Sequence, residues 1–101
     1  MAKFEHNGTA YELRCDVLAI SETEAATDYR LEKMGSGGVV EVATWVYFFA
    51  KRGEEHAGRV WDFDLVQWLG AIEMSDIEPL SAAVADLLDL GGDKKKKPES
   101  P

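Results

Sequence analysis

Seven of the ten aromatic side chains fall between Val39 and Trp68: Trp45, Tyr47, Phe48, Phe49, Trp61, Phe63 and Trp68. A chain of 101 residues has room for one domain with a modest core. Such a concentration of large apolar groups must fill that core, face another polypeptide, or do both. No catalytic or metal-binding set accompanies these rings, so the segment points to binding rather than to chemistry.

The aromatic segment reads as a helix. Val39, Val40, Val42, Val46, Tyr47, Phe48 and Phe49 all suit strands, yet Val39 to Arg52 contains no turn signal and is long for a strand in so small a protein. Val39, Val42, Ala43, Val46, Phe49 and Ala50 fall on one helical stripe. Trp45, Tyr47 and Phe48 widen that stripe beyond one face, which places the helix at the centre of a bundle or against a partner. Lys51 and Arg52 suit its end and Gly53 its stop.

The remaining elements follow from capping and turn chemistry. Asn7-Gly8 between Phe4-Glu5-His6 and Thr9 to Arg14 predicts a β-hairpin that must lean on other elements. Asp16 can cap a helix starting at Val17. Ser21-Glu22-Thr23-Glu24 has capping-box spacing and suggests a second start or a break. Ala25, Ala26, Tyr29 and Leu31 give a surface helix, or two short ones, ending at Gly35-Ser36-Gly37-Gly38. Asp62 can cap a helix carrying Leu65, Leu69 and Ile72. Ser75-Asp76-Ile77-Glu78 opens a last helix whose stripe is Ile77, Leu80, Val84, Leu87 and Leu88, with Gly91-Gly92 as its end. The fold class is mainly α: a small bundle of about four helices with an N-terminal β-hairpin and a disordered C-terminal tail. Residues 1–92 form the single helical domain, and 93–101 a flexible lysine-containing tail.

The net charge of −8 is unevenly distributed. Residues 1–92 hold 17 acidic and 7 basic side chains, or −10, whereas Lys94 to Lys97 against Asp93 and Glu99 give +2. An acidic body repels phosphate, which argues against nucleic-acid binding. No signal region opens the chain and no apolar run approaches a membrane span of ~20 residues. The expected location is the cytosol.

Candidate chemistry has plainer explanations. Asp62 and Asp64 do not share a helix face, and capping accounts for both. Glu54, Glu55, His56 and His6 lack metal-ligand spacing. Cys15, the single cysteine, reads as a small buried hydrophobe. The glycine-rich stretch before Val39 lacks the Lys-Ser or Lys-Thr of a phosphate loop. No enzyme, cofactor or metal is expected. Trp45, Tyr47, Phe48, Phe49, Trp61 and Trp68 are the candidate partner-binding residues.

The order of these segments resembles a known family. A hairpin with Phe4, Asn7-Gly8-Thr9 and Tyr11 to Arg14 leads into Asp16 to Ile20. Thr44 to Ala50, Asp62 to Leu69 and Ile77 to Val84 then follow. This arrangement is similar to the tail assembly chaperones of long-tailed bacteriophages across most of residues 3–90, by order and pattern rather than by a signature motif. The resemblance implies a small acidic helical protein without catalytic residues, acting in the cytoplasm of an infected bacterium and absent from the mature virion. It implies a helper that binds the tape measure protein and assists assembly of tail tube protein, with homo-oligomers possible. Lys94 to Lys97 could overlie a slippery site giving a longer frameshifted product. Competing readings are a structural head–tail connector, another small acidic adaptor, or an acidic DNA mimic.

Overall fold

The computed structural model describes residues 2–33 and 38–92, with side chains described up to Leu87. The order of elements is β1 (Lys3–His6), β2 (Thr9–Glu12), α1 (Val17–Ala26), α2 (Val39–His56), α3 (Leu65–Gly70) and α4 (Ile77–Gly92). Two single 3-10 turns, Leu31–Lys33 and Met74–Asp76, precede α2 and α4. The architecture is therefore mainly helical, with four helices and an N-terminal hairpin. The predicted lysine tail and the glycine stretch from Gly35 to Gly37 lie outside the described residues.

The hairpin forms for the reason the sequence gives. Asn7 and Gly8 adopt φ of 51° and 86°, the paired positive values of a two-residue turn whose twist matches antiparallel strands. The register pairs Phe4 with Tyr11 and His6 with Thr9. Alternation then sends Phe4 and His6 inward and leaves Lys3 and Glu5 in solvent.

Helix α2 is the axis of the molecule. Eight consecutive residues, Ala43 to Ala50, are buried. No helix can bury a continuous run that long against one neighbour, since the run covers its whole circumference. The hairpin strand β2 and helices α1, α3 and α4 all pack on it. Of the two positions its wide apolar arc allowed, the centre of a bundle or a place against a partner, α2 occupies the first. Helix α4 presents Leu80, Ala83, Val84 and Leu87, an i, i+3, i+4, i+7 stripe, to this core. Helix α1 is less one-sided: Ala19 and Thr23 are buried, while Val17 and Leu18 face solvent.

Several local expectations are corrected. Gly53 does not stop α2, which runs three residues further to His56. A Cβ at Gly53 would fall on the Glu12 carbonyl oxygen, so glycine there lets the helix touch β2. The Arg14 N–H donates to the Phe49 carbonyl at 3.0 Å beside this contact. The true stop is Gly58, at φ 82°. Its N–H donates to Glu55 O at 3.1 Å and the Arg59 N–H to Glu54 O at 2.8 Å, closing the helix as a Schellman motif.

Asp64 rather than Asp62 caps α3. Its carboxylate accepts from the Gln67 N–H at 2.8 Å, and Gln67 Oε1 accepts from the Asp64 N–H at 2.9 Å. Sequence alone offered two aspartates two residues apart, and only Asp64 is followed three residues later by a reciprocating glutamine. Ser21 starts no new helix: α1 runs unbroken from Val17 through Ser21 and ends at Ala26, short of Tyr29 and Leu31, with the Thr23 hydroxyl bonded back to Ala19 O at 2.8 Å. The reciprocal bonds at the foot of α4 join Glu73 and Asp76, not Ser75 and Glu78. Cys15 is exposed rather than buried.

Candidate functional site

The six rings proposed as a partner surface are drawn mostly into the core. Trp45, Phe49 and Trp68 are fully buried, Tyr47 and Phe48 nearly so, and only Trp61 is half-buried. The physical reason lies in α2, where Trp45 and Tyr47 sit on opposite sides of a helix that is itself surrounded. These side chains therefore do not make one face. Trp45 stacks on Phe49 within α2, with centroids 5.7 Å apart. Tyr47, Trp61, Phe63 and Trp68 join Phe4, His6 and Tyr11 in a second cluster. Trp61 closes that cluster at the surface, edge-on to Tyr11 at 5.7 Å and to Tyr47 at 5.5 Å.

His6 belongs to this aromatic cluster and not to a metal set. Its ring lies parallel to Trp68 at 3.7 Å, and Nε2–H donates to the Trp68 carbonyl at 3.0 Å. A carbonyl can only accept, so the proton resides on Nε2. The Tyr47 hydroxyl donates to Phe63 O at 3.0 Å, fixing the chain that leads into α3. His6 Nδ1 and the indole nitrogens of Trp45, Trp61 and Trp68 are buried without a hydrogen-bond partner. Among the described residues no group of three His, Cys, Asp or Glu side chains is placed to hold a metal.

The other chemistry-bearing groups also hold the fold. Asp16 caps α1 through the Ala19 N–H at 2.9 Å and takes a two-point contact from Arg52, with Nη2 to Oδ2 at 2.9 Å and Nε to Oδ1 at 3.3 Å. The Arg52 guanidinium, with help from Ala19 N–H and Arg14, lowers the Asp16 carboxyl to about 2. The Cys15 thiol is pushed up by partial burial and by Asp16, the opposite of an activated nucleophile. Glu54 pairs with Arg59, and Glu55 with Lys51 and Arg52.

Val17, Leu18, Leu31, Val60 and Val66 are exposed singly, while Val39, Val40 and Met74 are exposed around one groove that the rings do not reach. A half-open cavity of about 340 Å³ separates the first turns of α2 from the end of α3 and the foot of α4. Val39, Val40 and Ala43 form one wall, Leu69 and Ile72 another, and Met74 and Ile77 the third, with Glu73 at the edge. Val40 is 59% exposed and Met74 83%. None of the six proposed rings lines this groove. Two sequence signals mark it: the Val39-Val40 pair preceding the buried run, and Met74 alone within the acidic turn Glu73-Met74-Ser75-Asp76. No helix among the described residues is long and apolar enough to cross a membrane.

No protein-family model, curated protein or solved structure matches this chain.

Proposed function

We propose that the protein is a non-catalytic assembly helper of the phage tail chaperone kind, which holds a helical client such as the tape measure protein in its aliphatic groove. The observation that carries the reading is the groove itself. Val39, Val40, Met74 and Ile77 surround about 340 Å³ of concave apolar space that the described residues leave unfilled although their aromatic carbon is used for the core. A cavity of this size accepts two or three large side chains of another polypeptide. The acidic exterior, −10 over residues 1–92 from 17 acidic and 7 basic side chains, supplies the solubility a helper lends to an aggregation-prone client.

The alternative of a retained head–tail connector gains no specific observation. Co-expression with the tape measure protein of the same phage tests the reading. The wild-type chain is expected to co-purify with the client and keep it soluble, and Val40→Asp with Met74→Asp to lose both effects while remaining folded. A client equally soluble with the double variant, or mass-spectrometric recovery of the chain as a stoichiometric component of purified virions, would refute it.

A further inference from the structure

The occupant of the groove can be specified further from its charge and shape, resting on the docking reading above. Five occupants differ in what they would bring to these residues. The C-terminal segment Asp93 to Pro101 is Asp-Lys-Lys-Lys-Lys-Pro-Glu-Ser-Pro and offers only two small separated apolar rings, Pro98 and Pro101, and no stripe. A second copy meeting this face across a two-fold axis would bring an equally acidic face against it, with no Lys or Arg lining either groove among the described residues. An anionic lipid surface meets the same repulsion. An extended peptide would bury backbone groups against Val39, Val40, Leu69 and Met74, whose side chains offer no hydrogen bond. A helix satisfies its own backbone and presents only side chains.

The charge around the groove is of one sign. Glu73 lines it, and Asp76 and Glu78 flank Ile77 in the chain. No Lys or Arg lines it among the described residues. Arg14, Lys51, Arg52 and Arg59 are paired with carboxylates at the other end of α2 or at the turn beyond it. From Ala43 to Lys51 the helix rises eight residues, ~12 Å, so these cations lie about one screening length from the groove. Glu73 and Asp76 also cap the turn before α4 with their carboxylates, yet both keep their charge, so with Glu78 the edge stays acidic.

From this combination we infer that the groove is selective for a cationic amphipathic helix, in which an apolar stripe at i, i+3, i+4 and i+7 is flanked by lysine or arginine. The stripe fills the space between Val40, Leu69 and Met74. The flanking cations meet Glu73, Asp76 and Glu78. Burial supplies most of the affinity, and charge supplies the choice among stripes.

Three synthetic peptides of about 18 residues, long enough for five helical turns, test this on the full chain. One carries a leucine stripe flanked by lysine, one the same stripe flanked by glutamine, and one the lysine peptide with its stripe scrambled. Methyl NMR of Val39, Val40 and Met74 reports the groove, and anisotropy of the labelled peptide reports affinity. The lysine-flanked stripe is expected to shift those methyl signals and to bind roughly tenfold tighter than the glutamine version at low salt, an advantage that shrinks as salt rises. Glu78→Gln with Glu73→Gln should reduce the same advantage. Equal binding of both stripes would overturn the charge selectivity and leave the docking reading standing. Binding of the scrambled lysine peptide as tightly as its striped parent would overturn it too, as would groove signals that move with protein concentration alone. Failure of every stripe to move the groove signals would overturn the docking reading as well.

Discussion

Gly53 shows how a single missing carbon decides a contact. Replacing a helical glycine with alanine ordinarily stabilises by about 1 kcal/mol. Here the added Cβ meets the Glu12 carbonyl, so Gly53→Ala should destabilise, by about 2 kcal/mol or more, in urea titration. A gain in stability would mean that Gly53 is an ordinary helix-interior glycine with room for a methyl group. Asp16 gives a second test, through pH. Its folded pKa, about 2, lies below the ordinary carboxyl value of 3.8, so its ionised form is stabilised by folding. The contribution is present above about pH 4 and is lost as pH falls from there toward 2. Asp16→Asn keeps a capping oxygen but loses the charge facing Arg52. It should cost on the order of 1–2 kcal/mol at pH 7 and much less near pH 2, read from denaturation midpoints. His6→Ala removes both the ring stacked on Trp68 and the donor to its carbonyl. The expected loss is about 2–4 kcal/mol by thermal denaturation, far above that of an exposed strand position such as Glu5.

The elements differ in how openly the sequence announces them. Hairpin, α2 and α4 were legible because their signals are local: a two-residue turn, a long unbroken apolar segment, a clean stripe. The hairpin turn can be tested at this level. Asn7→Ala with Gly8→Ala forbids the paired positive φ values and should cost about 2 kcal/mol or more while α2 retains its helical circular dichroism. The ends of elements were less legible. Gly53 and Gly58 both follow α2 residues with good stop chemistry, and only the approach of Glu12, more than forty residues away, separates the packing glycine from the terminating one. Asp62 and Asp64 differ only in whether a glutamine can answer. The candidate site was the least legible. Aromatic crowding marked the right helix but not its exposed part, because α2 is covered over Ala43 to Ala50 and gives the groove Val39, Val40 and Ala43, none of them aromatic. Met74 stands out in its acidic turn, but that it walls a groove was not legible, because Leu69 and Val39 beside it come from separate helices.

Taken whole, the chain assigns its large rings to cohesion, together with aliphatic groups such as Val46 and Leu80, and leaves other aliphatic groups such as Val40 exposed. Trp45→Ala should therefore cost about 3–5 kcal/mol and act on any partner only through unfolding. Val40→Ser, at a site 59% exposed, should leave the melting temperature nearly unchanged. Reversal of that order in thermal scans would mean that the core lies elsewhere. The ion pairs of Arg14, Lys51, Arg52 and Arg59 gather on one end of the body, and the unfilled groove lies toward the other. The same division has an optical consequence. All three indoles are walled into the hydrophobic interior or its rim, and none borders the cleft between α2 and α4. Native emission from this protein will track melting faithfully yet stay nearly silent when something settles into that cleft, so a reporter dye beside Met74 is the appropriate eye for such an event.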